Sequence, residues 1–300
     1  MKIDLVCSGG GIKGIALLGA IHTLEQNGFS FVNIAGTSVG ALIGSLICAG
    51  YSAKEILKSF QDNLPQLSFY PNRTSSNQLF RIYRWLKLYR SLGLYSSDGI
   101  EKLLAQLLKQ KGISTFLDLP PNALRIVASD LTREEIVVFP KDCEIYKLDI
   151  SRFKISDAVR MSATLPFYFR PNFLIHQESK QKCMIVDGGI LSNFPMWLFA
   201  PEFEKKKRPV IGLQLQSESV YNFDRQSLNA FNLLKQLIQT MQTAHDRVYI
   251  RKSYAKDIIF ISVGKVQATD FQLSKEQLNE LFEIGVKSCE KFLYSGHTKF

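Results

Sequence analysis

The stretch MKIDLVCSGGGIKGIALLGAIHTLEQNGFSFVNIAGTSVGALIGSLICAG, residues 1–50, carries one pattern twice and decides the fold class. Lys2 to Cys7 is a short β-branched and aliphatic run that predicts a strand. Ser8-Gly9-Gly10-Gly11 predicts a loop, and from Ile12 to Gln26 apolar residues recur at helical spacing. Phe31 to Ala35 then predicts a second buried strand, Gly36 to Gly40 a tight turn, and Ala41 to Gly50 a helix of small residues. Two strand-turn-helix units in succession argue for a parallel sheet covered by helices.

Working outward, Ser52 to Gln61 predicts a further helix, and the polar, turn-rich segment Pro65 to Gln78 a long loop placed to act as a lid. Strands are expected at Leu124–Ser129, Ile136–Phe139, Lys182–Val186, Arg208–Leu215 and Ile258–Val263. Apolar steps of three or four from Leu228 to Val248 predict a long amphipathic helix, and Ser274 to Leu293 predicts the last one. No repeat or linker interrupts the chain. It reads as a single α/β domain over 1–300, with a motif-bearing core in 1–215 and helical and strand elements of the same domain in 216–300.

Composition agrees: 46% apolar and 21% charged residues in 300 exclude a disordered, collagen-like or low-complexity chain. Against 27 Asp and Glu stand 37 Lys and Arg, a net charge of +10 that favours phosphate-rich partners, nucleic acid or an anionic bilayer. Five cysteines, Cys7, Cys48, Cys143, Cys183 and Cys289, are dispersed and form no CxxC pair, so neither a disulfide framework nor a zinc site is expected. The start MKIDLVCSGGG is too short in apolar residues for a secretory signal, and the run Val39 to Ala49 is too short to span a bilayer. The expected location is the reducing cytoplasm, with peripheral membrane contact and signal-less export both compatible with it.

Gly36-Thr37-Ser38-Val39-Gly40 fits G-x-S-x-G, the strained strand-to-helix turn that presents a serine hydroxyl to open space. Such a pentapeptide arises by composition in about one chain in ten of this length, so its placement between a strand and a helix is what gives it weight. Gly9-Gly10-Gly11-Ile12-Lys13-Gly14 has two readings. As a dinucleotide loop it calls for an acidic residue at the end of the second strand, and Asn33-Ile34-Ala35-Gly36 has none. As a partner of Ser38 it supplies unobstructed backbone amides, an oxyanion hole for an acyl ester. Lys13 in a first helical turn opposes the macrodipole unless an anion offsets it, and otherwise extends into solvent.

A serine nucleophile needs a base. Of the four histidines, His22 and His245 fall inside predicted helices, His176 in a polar turn and His297 near residue 300, and none follows a strand as a triad histidine does. Met184-Ile185-Val186-Asp187-Gly188-Gly189 instead ends a buried strand in a carboxylate, and two glycines release the backbone. Asp187 then emerges at the sheet edge of Ser38 and can take its proton if burial raises its basicity. Read alone, Asp187 is equally a turn residue bonding its own backbone.

Taken together and in order, residues 9–14, 36–40 and 187–189 resemble the patatin-like phospholipase family, which combines G-G-G-x-[KR]-G, G-x-S-x-G and D-G-[AG]. Met161-Ser162-Ala163-Thr164-Leu165-Pro166 and Asn193-Phe194-Pro195 resemble two further family segments, whereas Ser8 stands where the family often has Asp. The resemblance covers about the first two hundred residues. It implies a three-layer α/β/α sandwich with a mostly parallel sheet and hydrolysis of a fatty acyl ester without metal or other cofactor. The implied catalytic residues are Ser38 and Asp187, held by the elbow glycines Gly36 and Gly40 and the turn glycines Gly188 and Gly189. The implied oxyanion hole is Gly9, Gly10 and Gly11 with Lys13 assisting.

The implied partner is a phospholipid or other acyl lipid at an anionic membrane. Leu79 to Arg90 interleaves aromatic residues with Arg81, Arg84 and Lys87 as an interfacial helix does, and equally as a lid helix with snorkelling cations. Lys205-Lys206-Lys207-Arg208 reads as a solvated loop, and no motif supports nucleic-acid binding. Competing readings are a Ser-His-Asp esterase of the α/β-hydrolase type, for which Ser38 comes too early, and a non-catalytic lipid-binding module of the same fold.

Overall fold

The computed structural model describes residues 1–63, 88–199, 208–216, 255–264 and 273–295, with isolated positions 237, 240 and 241. The strands are β1 (Lys2–Cys7), β2 (Ser30–Thr37), β3 (Gly93–Tyr95), β4 (Leu124–Asp130), β5 (Glu135–Phe139), β6 (Phe167–Phe169), β7 (Asn172–Ile175), β8 (Lys182–Asp187), β9 (Val210–Gln216) and β10 (Ile258–Ser262). The helices are α1 (Ile15–Gln26), α2 (Val39–Cys48), α3 (Ala53–Asp62), α4 (Asp98–Gln110), α5 (Ile155–Ser162) and α6 (Lys275–Tyr294).

The central sheet has the order β10-β9-β1-β2-β4-β8-β7, with β5 also on β4, and β3 and β6 form a separate pair. From β10 to β4 the strands are parallel, whereas β5 and β8 run antiparallel to β4, and β7 antiparallel to β8. The fold is therefore an α/β architecture around a mostly parallel sheet flanked by helices. Burial on both faces explains the nearly unbroken apolar strands, since a parallel sheet covered on each side has no wet face to alternate towards. Along β1, Ile3, Leu5 and Cys7 enter the larger core with α1, α2 and α6. Val6 enters the opposite core with Phe194, Met196 and Phe199.

The register on β4 positions the site. β4 residues 126 and 127 pair with both β2 and β5, and residues 128 to 130 pair with both β5 and β8. A strand has two edges, so β2 and β8 share one edge of β4, each meeting the other at its C-terminal end. Thr37 lies opposite Val127, and Asp187 opposite Ala128. The sequence reading has Asp187 emerge at the same sheet edge as Ser38. The structure brings the two together on a strand antiparallel to β4, and β8 stops where β2 stops.

Among the described residues, the later elements pack on the same sheet and helices. β9 and β10 extend the sheet, and α6 packs on α1, which is buried along almost its whole length. Two glycines permit that contact: a Cβ on Gly19 would lie 1.9 Å from the Phe282 carbonyl oxygen, and one on Gly285 would lie 1.8 Å from that of Ala16. Capping boxes, Ser52 with Glu55 and Ser274 with Gln277, fix the starts of α3 and α6 by satisfying otherwise orphaned amides.

Several boundaries differ from expectation. The helix after the glycine run begins at Ile15, because Gly11–Gly14 forms a 3-10 turn first. Lys13 therefore lies in that turn and not in the first turn of α1. α4, whose apolar residues Ile100, Leu103, Leu104, Leu107 and Leu108 are buried, is an element the sequence reading passed over. The loop 65–78, the segment 79–87 and most of the helix expected over 228–248 lie outside the described residues, as do Lys205 to Lys207, His245 and His297. No helix among the described residues is long and apolar enough to cross a membrane.

Candidate active site

Ser38 occupies the junction between β2 and α2 with φ 55° and ψ −121°, a conformation that costs a non-glycine residue on the order of 1–3 kcal/mol. The turn is tight enough to exclude side chains on both flanks. A Cβ on Gly36 would lie 2.5 Å from the backbone of Gly40, and one on Gly40 would lie 2.4 Å from the carbonyl oxygen of Cys7. The geometry directs the Ser38 side chain away from its own helix, so it does not cap α2 as an N-terminal serine commonly does. Its Oγ donates to Oδ2 of Asp187 at 2.8 Å. The sequence reading expects that hydroxyl in open space, but the residue is only 8% exposed.

Asp187 closes β8 and is 7% exposed. Its Oδ1 accepts from the Gly189 amide at 2.7 Å, within the 3-10 turn Gly188–Ile190. Burial pushes the carboxyl pKa up from 3.8 to about 6; the bonds from Gly189 and Ser38 favour the ionised form and limit the rise. The turn bond and the bond to Ser38 coexist, one on each oxygen, so the two readings of Asp187 are not exclusive. Gly188 is obligatory at its position: a Cβ there would lie 2.2 Å from the Val127 carbonyl oxygen.

The glycine run passes beside Ser38. A Cβ on Gly9 would lie 3.4 Å from the Ser38 Cβ and 2.5 Å from Oδ1 of Asn193, while one on Gly10 would lie 2.5 Å from the Leu215 side chain. The loop is tied from both sides. Gly9 donates its amide to the Asn193 carbonyl at 2.9 Å, Ser8 donates its amide to that of Leu213, and the Ser8 hydroxyl accepts from the Leu215 amide at 3.0 Å. Among the described residues, no backbone carbonyl accepts from the Gly10 or Gly11 amide. Gly11 has φ 59°, the left-handed conformation that lets the loop reverse into the 3-10 turn, and Gly10, Gly11 and Lys13 are half-buried.

Residues outside the three motifs complete the surroundings. The Ser38 amide donates to Oγ of Ser162 at 2.8 Å, and the Asp187 amide donates to the Thr164 carbonyl at 2.9 Å. Thr37 donates its hydroxyl to the Ser192 carbonyl at 3.0 Å. The small-residue run 161–166 signals close packing, but nothing local announces that it bonds to positions 38 and 187.

The described histidines are engaged elsewhere. His22 lies against the Phe282 ring with centroids 5.7 Å apart and 3.9 Å from Glu25, and burial lowers its pKa. His176 accepts from the Glu178 and Ser179 amides in its own turn. The five cysteines are free thiols, and the described residues contain no cluster of three metal-ligating side chains.

Comparison with known proteins places the chain. The family model for patatin-like phospholipase matches residues 5–200. The chain is 43% identical over 293 residues to the uncharacterized protein YqhO of Bacillus subtilis, covering 98% of each. It is 27% identical over 212 residues to the probable lipid hydrolase 463L of Invertebrate iridescent virus 6, covering 68% of this chain and 65% of that protein. Among solved structures, VipD from Legionella pneumophila shares the fold, with a TM-score of 0.53 at 19% identity over 98% of this chain and 67% of that one. With a family match over most of its length and a relative at 43% identity end to end, the chain belongs to the patatin-like phospholipase family.

Proposed function

We propose that this protein is a lipid acyl hydrolase in which Ser38 is the nucleophile and Asp187 the base. The observation that carries the reading is the 2.8 Å bond from Ser38 Oγ to a buried carboxylate whose pKa lies near 6. A carboxylate of that basicity is ionised at neutral pH and accepts a proton more readily than an exposed one. Ser38 attacks the acyl carbonyl, its proton passes to Asp187, and the protonated carboxyl returns it to the leaving alkoxide. Water then attacks the acyl-enzyme carbonyl, giving a proton to the same carboxylate, which passes it to the departing Ser38 Oγ as the fatty acid leaves and both groups return to their starting state.

The amides of Gly10 and Gly11 face the developing oxyanion in this reading, with Lys13 assisting, and Gly9 does not join them as a donor because its amide bonds the Asn193 carbonyl. The half-buried positions of Gly10 and Gly11 favour that role, while Gly9 contributes by keeping the loop close. The position of Ser38 at the N-terminus of a ten-residue helix adds a favourable dipole for negative charge. A peripheral approach to anionic lipid suits the net charge of +10.

The test combines active-site labelling with hydrolysis. A fluorophosphonate probe should modify Ser38 of the wild-type protein and release of fatty acid from mixed phospholipid vesicles should be measurable. Both should vanish in Ser38→Ala. A labelled wild type with undiminished turnover in Asp187→Asn would reject the base assignment, and an unlabelled, inactive wild type would favour a non-catalytic lipid-binding module.

A further inference from the structure

Ser162 is wholly buried at the last position of α5, in the segment 161–166 and outside the three motifs that carry Ser38, Asp187 and the glycine loop. Its Oγ accepts from the Ser38 amide at 2.8 Å and donates to the Val127 carbonyl at 2.6 Å. Val127 is the β4 residue that pairs with Thr37, the last residue of β2. Where β2 turns away from β4 into the elbow, a ladder bond between the strands can no longer form. A hydroxyl fills the gap, taking the donor from one strand and the acceptor from the other.

Two residues further on, the Thr164 carbonyl accepts from the Asp187 amide at 2.9 Å. Thr164 is itself fully buried and held through its hydroxyl, which donates to the Arg160 carbonyl at 2.7 Å and accepts from Asn172 Nδ2 at 2.6 Å. One rigid segment therefore grips the backbone of position 38 at one end and of position 187 at the other. The two positions are 149 residues apart in the chain and meet without any direct backbone bond between them.

We infer that Ser162 is a positioning residue for the Ser38–Asp187 pair, holding the strained Ser38 backbone so that its Oγ stays within hydrogen-bond reach of the carboxylate. The inference rests on the proposed roles of those two residues. A strained conformation persists only where its surroundings hold it, and the bond to Ser162 is what holds the Ser38 amide among the described residues. Removing the hydroxyl leaves the amide and the Val127 carbonyl without their partner and frees the elbow to relax. Displacements of an ångström at a reacting atom cost roughly a hundredfold in rate.

The test uses Ser162→Ala and Ser162→Cys in the full chain, the thiol filling the site while bonding weakly. Three readouts are needed: fluorophosphonate labelling of Ser38, steady-state hydrolysis of a short-chain acyl ester, and hydrogen exchange resolved at the Ser38 amide. Labelling and kcat should fall by about 10- to 100-fold in Ser162→Ala with KM held within about twofold. The Ser38 amide should exchange at least about tenfold faster while the β1 amides stay protected. A folded variant with wild-type labelling and wild-type exchange overturns the inference. Should Ser162→Ala fail to fold, the same measurements on Ser162→Cys decide it: slowed labelling with faster exchange supports it, and wild-type values overturn it. If the wild-type protein is neither labelled nor active, the reading of Ser38 and Asp187 has failed, and exchange at position 38 alone decides whether Ser162 holds the elbow.

Discussion

Asp187 stands one β4 residue beyond Thr37 on the same edge of that strand, opposite Ala128 where Thr37 is opposite Val127, although β8 and β2 run in opposite directions. The residue after Thr37 is Ser38, so the hydroxyl leaving one strand end meets the carboxylate leaving the other. Register, not strand direction, creates the contact. A shift of either strand by one residue would turn its terminal side chain to the other face.

Loss of either partner should abolish turnover. Ser38→Ala and Asp187→Asn should each lower kcat/KM by about 10³-fold or more, because the members of a nucleophile–base pair act as a unit. His22→Ala and His245→Ala should retain activity within a few fold. Hydrolysis of a chromogenic acyl ester by the four purified variants checks this, and a large loss in His245→Ala would restore a Ser-His-Asp reading.

The pH profile should follow the Asp187 carboxyl. In the proposed mechanism its ionised form is the base, so kcat/KM should rise with pH to a plateau, with a midpoint near pH 6, and drop tenfold for each unit below it. Stability should run the other way. The carboxyl pKa is higher in the folded chain than the 3.8 of an exposed aspartate, so its contribution to stability is full below about pH 4 and is lost as pH rises through about 6. The difference between 3.8 and about 6 corresponds to about 3 kcal/mol. Asp187→Asn should accordingly raise Tm by several degrees at pH 8 while abolishing activity, with the gain shrinking towards pH 4; thermal melts at both pH values read this directly.

Backbone strain at the elbow gives a second stability signature. Ser38→Gly relieves the φ 55° conformation and Ser38→Ala does not, so the glycine variant should be the more stable by about 1 kcal/mol despite its greater unfolded-state entropy. Denaturant unfolding of the two inactive variants provides the comparison; equal stabilities would mean the elbow is unstrained.

The α1–α6 contact should tolerate no side chain. Gly19→Ala and Gly285→Ala each place a Cβ within 2 Å of a carbonyl oxygen on the facing helix. Each should destabilise by about 1–3 kcal/mol or more, since backbone cannot yield as a flexible side chain does. A melting temperature unchanged in both would show that α6 is not held against α1 as described.

How much of this was legible beforehand depends on the range of each interaction. Both glycine turns, the strands beside them and the D-G-G turn are local: residues within about six positions set their backbone geometry, through the freedom of glycine and the apolar run of a strand covered on both faces. That is why Ser38, Asp187 and Gly9 to Gly11 could be named from residues alone, with the family resemblance joining them. The start of α1 was misplaced by three residues, because helical spacing of apolar residues does not distinguish a 3-10 turn from the helix that follows it. The apolar spacing of α4 at Ile100, Leu103, Leu104, Leu107 and Leu108 is regular and local, so that helix too is legible in the sequence, although the expectations above do not include it.

The amino-acid order by itself determined the elements and the chemistry they carry: a serine at a strand-to-helix turn, a carboxylate at a strand end, and a glycine loop free of side chains. Only the tertiary structure decided that β8 enters antiparallel and stops against Ala128, that burial lifts the Asp187 carboxyl to about 6, and that Ser162 and Thr164 hold the two backbones from one side. Each of those depends on groups brought together across more than twenty residues of chain, where distance and desolvation are properties of packing and leave no trace in local spacing.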